Sequence, residues 1–102
     1  MPAPHSFYVH HKHDPSVSAH DHMYEVVGIA RHTEEKTFLV LYRPLYANDW
    51  LPPADVQARP LEMFTDMVEK HGLRIPRFKL IEDPALIAEL STARAQMYPD
   101  AH

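Results

Sequence analysis

The chain contains no cysteine, so disulfides, thiolate nucleophiles, CxxC zinc sites and iron–sulfur ligation are excluded at once. Only two glycines occur, Gly28 and Gly72, which leaves no glycine-rich loop to cradle a phosphate. No apolar stretch approaches the roughly 18 residues that a membrane-spanning helix needs. The start, Met1-Pro2-Ala3-Pro4-His5, lacks a basic segment followed by an apolar run. A cytoplasmic location is therefore the expectation. Positive charge is also scarce. Ten Lys and Arg stand against fourteen Asp and Glu, a formal charge of −4, which disfavours a protein that works by coating polyphosphate.

Proline and histidine, by contrast, are plentiful. The 102 residues suit one small domain, and 45% hydrophobic content beside ten prolines excludes collagen-like and wholly disordered classes. Protonation of all nine histidines would reverse the sign of the net charge below a reference pKa of about 6.5.

Alternation places Phe7, Val9 and His11 on one side of a short strand and Tyr8, His10 and Lys12 on the other. A polar, His-rich segment follows from His13 to His22. Met23 to His32 reads as a second strand, with β-branched Val26, Val27 and Ile29. After the polar break Thr33 to Lys36, Thr37 to Arg43 is the strongest strand of the chain. Pairing the two across that break sets Arg31 opposite Phe38, Ile29 opposite Val40 and Val27 opposite Tyr42. Both faces of this hairpin are apolar, so each needs a cover: the rest of a barrel on one side and a helix on the other.

Pro44 to Asp55 reads as a loop from its proline pair and Asn-Asp. Pro60 confines any strand at Val56 to Phe64 to an edge or a short piece. Leu61, Phe64, Met67 and Val68 also fit helical spacing, ended by Gly72. Leu73 to Ile81 is a last strand broken at Pro76. Asp83 as N-cap and Pro84 at the first helical position then open an amphipathic helix over 83–98. Its stripe is Leu86, Ile87, Leu90, Ala93 and Met97, and it is short enough to need docking on the barrel or on a partner. A homodimer through this stripe is one expectation.

The blocks Tyr24-Glu25-Val26-Val27-Gly28-Ile29-Ala30-Arg31-His32-Thr33-Glu34, Val40 to Tyr46 (VLYRPLY), Arg59 to Phe64 (RPLEMF) and Pro76-Arg77-Phe78 carry a resemblance. In this order they make the chain, from about Phe7 to Phe78, similar to a small bacterial family, the domain of unknown function numbered 1653. The resemblance implies an all-β domain over 7–81, a small SH3-like barrel of four or five short strands with the helix appended. It implies no activity and no catalytic residues. Two segments depart from the family pattern: the insertion Asp14 to His22, where a tight glycine turn is usual, and the helix from Asp83 onward.

Two constellations carry chemistry. In a hairpin pairing His13 with His20, and so His11 with His22, four imidazoles would share one face. Such a set suits zinc, nickel or copper, with Asp14 or Asp21 adding an oxygen; a solvated loop that binds nothing is the alternative. The second constellation is polar: Arg31, His32, Tyr42, Arg43, Tyr46, Arg59, Glu62 and Arg77. Guanidinium forks beside aromatic rings suit a carboxylate, a phosphate or a flat base. A structural role competes with this, in which Arg43 and Arg59 pair with Glu25 and Glu62 and the tyrosines cap the core. Trp50, the single tryptophan, serves either as a partner anchor or as a lid on its own barrel.

Catalysis finds little support. His32 and Glu62 are the one candidate acid–base pair, and no Ser nucleophile in a recognisable setting and no paired-carboxylate motif accompanies them. The expected role is a non-catalytic binding or interaction module using the Arg/Tyr surface, its partner a protein, peptide or small-molecule ligand. The alternatives are a metal-binding protein using the His-rich insertion and a nucleic-acid binder using the arginines.

Overall fold

The computed structural model describes residues 1–46 and 56–99, and Trp50 lies outside them. Seven strands and two helices follow in the order β1 (Phe7–His10), β2 (Met23–Arg31), β3 (Phe38–Pro44), β4 (Gln57–Pro60), α1 (Leu61–Phe64), β5 (Met67–Lys70), β6 (Leu73–Pro76), β7 (Phe78–Leu80) and α2 (Pro84–Met97). Five strands form one antiparallel sheet in the order β4-β3-β2-β1-β7, and β5 and β6 form a separate hairpin. The expected segment Leu73 to Ile81 is indeed split, at Arg77. The helical reading of Leu61 to Val68 survives only as the single turn α1. The two-residue turn His71-Gly72 takes φ of 53° and 79°, the mirror-image geometry that lets strands twist together, so β5 replaces the rest of the helix.

The β2–β3 register matches the expected pairing at Arg31↔Phe38, Ile29↔Val40 and Gly28↔Leu41, then shifts. Val27 is an extra residue, so Val26, not Val27, faces Tyr42. This bulge has a clear physical payoff. Without it Val27 would point into the core and Val26 and Tyr24 outward. With it, Val26 is fully buried and Val27 is exposed.

Each face of the sheet has its own cover. On the concave face Tyr24, Val26, Val40 and Tyr42 pack with Phe64 of α1 and Phe78 of β7. The rings of Phe64 and Phe78 stack at 4.2 Å and 8°, so side chains join the two ends of the curled sheet. Arg77 adds a backbone bond to the Asp66 carbonyl and a double hydrogen bond to the Asp66 carboxylate at 2.7 and 3.1 Å. Among the described residues the hydrogen-bonded ladder itself does not close: β4 and β7 remain its edges, which corrects the expected barrel. Pro60 at the end of β4 and Pro76 at the end of β6 account for this in part, since proline gives a ladder no donor.

The other face is covered by α2. Asp83 caps it, its carboxylate accepting from Ala85 N at 3.3 Å, with Pro84 in the first turn. Leu90 is fully buried among Phe7, Met23, Leu45 and Ile81, with Leu86 and Ile87 beside it. The apolar stripe is thus occupied by the protein's own sheet. A charged cluster sits under the helix: Glu25, 1% exposed, accepts from Arg43 Nε and Nη2 at 3.0 and 2.8 Å, and Arg94 Nε lies 3.4 Å from its other oxygen. Arg43 also stacks 3.9 Å over the ring of Tyr98, whose hydroxyl donates to the Pro44 carbonyl at 2.6 Å. No helix among the described residues is long and apolar enough to cross a membrane.

Candidate functional site

Strand parity builds the main cleft. On β1 Tyr8 and His10 face the concave side, on β2 Tyr24, on β3 Tyr42 and on β4 its cross-strand partner Gln57 and, two residues on, Arg59. His10 is paired with Phe78 of β7. All of these but Tyr8, together with Lys12, His22, Tyr46 and Val56, line a cleft of about 470 Å³, within the usual size of small-molecule sites. Among the described residues no carboxylate lines it.

Inside, the polar atoms are organised before any ligand arrives. Arg59 Nε donates to the Tyr42 hydroxyl at 3.1 Å, and its guanidinium carbon lies 5.3 Å from the Phe78 ring centre. Because Tyr42 Oη accepts here, its own proton remains for a further partner. The hydroxyls of Tyr24 and Tyr46 meet at 3.0 Å, one donating to the other. Burial, followed by that hydrogen bond, pushes the Tyr24 phenol well above the ordinary tyrosine range, so it stays neutral. His10 is 9% exposed. Burial first, then the positive charge of His11, His22, Arg59 and Lys12, lowers its pKa from 6.5 to about 3. His22 packs its ring against Tyr46 at 5.5 Å and 28°, and its Nδ1 lies 2.8 Å from Asp21 Oδ2.

The polar constellation expected from the sequence is divided among different places. Tyr42, Tyr46 and Arg59 meet in the cleft. His32 and Glu62 line a second groove of about 600 Å³ with Glu35, Phe38 and Leu61, at the far end of β3. There His32 Nδ1 accepts from the backbone N–H groups of Glu34 and Glu35 at 3.3 and 3.1 Å. Arg43 faces the helix and Glu25, as the structural reading required; Arg59 binds Tyr42 instead of Glu62. Arg31 lies 5.8 Å from the Phe38 ring centre, and Arg77 is tied to Asp66. The arginines therefore do not make one common face.

The histidine pairing in the insertion also differs from expectation. Strand β1 ends at His10, Val9 faces Met23, and His10 N donates to His22 O at 2.9 Å, so His10 and not His11 lies across from His22. His11 leaves the strand and its N–H donates to the Arg77 carbonyl at 2.9 Å. His13 turns its Nδ1 to the Asp21 carbonyl and His20 sits 3.4 Å from Glu89 of α2. His11, His13, His20 and His22 are thus not gathered on one face. Among the described residues no group of three or more His, Asp or Glu side chains is placed to hold a metal ion. The physical reason is Asp21, 7% exposed, which accepts from Asp14 N at 3.2 Å and from His22 and so draws the insertion into a compact turn instead of an extended hairpin.

Sequence reasoning missed His10, Lys12, Tyr24, Gln57 and Phe78. The signal for His10 and Lys12 was present in the β1 alternation, which already set them beside Tyr8. Tyr24 was hidden by the bulge at Val27, which nothing in the local pattern announces.

Comparison with known proteins agrees with the fold. None of the curated proteins matches this chain. A crystal structure of a Bordetella bronchiseptica protein belonging to DUF1653 is similar, with a TM-score of 0.59 and 29% sequence identity, covering 78% of this chain and 87% of that one. The family model described as "Protein of unknown function (DUF1653)" matches residues 6–80, which span β1 to β7 and all of the cleft, and the chain therefore belongs to that family.

Proposed function

We propose that the chain is a non-catalytic binding module whose concave cleft takes a small anionic ligand with a flat unsaturated body. One observation carries this reading: Lys12 and Arg59 share a cleft with three tyrosines, and among the described residues no carboxylate lines it to oppose an anion. The rings supply stacking area, and the phenols, guanidinium and ammonium supply donors. The curled sheet, its ends joined through Phe64 and Phe78, reads as an opened relative of an SH3-like barrel, an architecture that displays side chains on a rigid concave face.

Chemical-shift mapping with benzoate and with inorganic phosphate tests the reading. The expected result is saturable shifts at Lys12, Tyr42, Tyr46 and Arg59, lost in Arg59→Gln. Shifts confined to the His32/Glu62 groove, or none at all, would reject it.

A further inference from the structure

Hydrogen positions in the cleft carry a narrower conclusion that rests on the anion-binding reading. The backbone N–H of Lys12 donates to His10 Nδ1 at 3.1 Å, and a ring nitrogen that accepts carries no proton. The proton of the neutral His10 ring is therefore on Nε2. That N–H has no partner among the described residues, although the residue is nine-tenths buried and lines the cleft. Burial and the surrounding cations keep the ring neutral far below physiological pH.

His22 has the opposite arrangement. The Asp21 carboxylate can only accept, so the proton of the neutral His22 ring sits on Nδ1, 2.8 Å from Asp21 Oδ2, and Nε2 presents a lone pair. The backbone at His22 is held at φ 56°, a left-handed conformation that a residue with a Cβ adopts only when its surroundings enforce it. Buried Asp21 on one side and the parallel Tyr46 ring on the other provide that enforcement. The two imidazoles stand 5.8 Å apart, tilted by 31°, and both line the cleft.

One N–H and one lone pair on two neighbouring rings of the same cleft are the complement of a lactam edge, in which a ring N–H adjoins a carbonyl, as in uracil or hypoxanthine. The carbonyl would accept from His10 and the N–H would donate to His22. We propose that the cleft selects a ligand joining a lactam edge to an anionic group, the edge read by His10 and His22 and the anion held by Lys12 and Arg59. Discrimination follows because an analogue lacking the ring N–H leaves the His22 lone pair desolvated and unmatched.

The test is calorimetry at pH 8, where a reference imidazole of pKa about 6.5 is neutral, using uridine monophosphate, its N3-methyl analogue, inorganic phosphate and a uridine tetranucleotide. The nucleotide is expected to bind at least about tenfold more tightly than the methylated form, the loss of one satisfied buried hydrogen bond. His22→Phe, which keeps a ring beside Tyr46, is expected to abolish that difference, with folding checked by circular dichroism. A tetranucleotide that binds more tightly with the same methyl penalty assigns the edge to an unpaired RNA base, and one that binds no better assigns it to a free nucleotide; both uphold the lactam reading. Phosphate binding with equal affinity for the two nucleotides overturns the lactam inference alone. Absence of binding by phosphate and by both nucleotides overturns the anion-binding reading as well.

Discussion

His10 makes the stability of this domain fall with acid in a way that one substitution isolates. Its folded-state pKa is lowered from 6.5 to about 3, first by burial and then by the charges of His11, His22, Arg59 and Lys12. Between those two values the unfolded chain binds a proton that the folded chain refuses, so folding is penalised progressively as pH drops. Above pH 6.5 both states are neutral and the penalty is absent. Each pH unit inside the window is worth about 1.4 kcal/mol. From pH 6.5 to 4.5 the wild type is therefore expected to lose about 2 kcal/mol through this residue, after allowance for rounding near the upper pKa. His10→Phe keeps an edge-on ring against Phe78, whose centre is 4.8 Å away. It loses the acceptor for the Lys12 N–H, a pH-independent cost of about 1 kcal/mol. Urea unfolding at half-unit intervals from pH 4.5 to 7.5 measures both effects. The variant is expected to be less stable than wild type at pH 7.5 and to overtake it near pH 6. Parallel curves across the whole range would show that His10 takes up its proton equally in both states and would refute its burial as a neutral ring.

Other expectations follow from the helix face and the insertion. Leu90→Ala, at a fully buried site among Phe7, Met23, Leu45 and Ile81, should cost about 3 kcal/mol in urea unfolding, and a loss below about 1 kcal/mol would mean that α2 is not docked. Glu25→Gln should cost about 3 kcal/mol because Arg43 and Arg94 lose their buried counter-ion, with partial recovery in Glu25→Gln/Arg43→Met; additive losses in the double variant would contradict this pairing. Truncation after Ile81 uncovers Phe7, Met23 and Leu45, so light scattering should detect self-association that the full chain does not show. Zinc titration by calorimetry should give weak binding, equal in wild type and His20→Ala/His22→Ala, since these rings are turned to Glu89 and Asp21; a tight stoichiometric site would overturn that placement.

Much of the frame was legible locally. The β2–β3 pairing from Arg31↔Phe38 to Gly28↔Leu41, the break near Pro76, the Asp83-Pro84 helix start and the need for covers on both sheet faces all followed from periodicity, turn chemistry and capping. Those signals act over a few residues, so a sequence window contains them. The pairing of Arg43 with Glu25 was expected from charge alone; the bulge at Val27, and not the expected register, sets the two opposite each other. Val27 shows the limit, because a bulge is decided by which of two neighbouring valines the core on the far side of the sheet can accept. Trp50 lies outside the described residues, and its role as anchor or lid rests on the sequence reading.

The sequence by itself determined that this is one small, largely β domain without thiol chemistry or a phosphate loop, and that arginines, tyrosines and histidines are its chemical vocabulary. Only the tertiary structure decided which of them meet. It sent Arg43 under the helix, His32 and Glu62 to a separate groove, and Tyr42, Tyr46 and Arg59 to one cleft with His10, Lys12 and His22. The reason is that strand parity assigns each side chain to a face, whereas curvature of the sheet determines which residues on a face converge. That curvature comes from long-range contacts, above all Phe64 against Phe78, which bring together strands far apart in the chain.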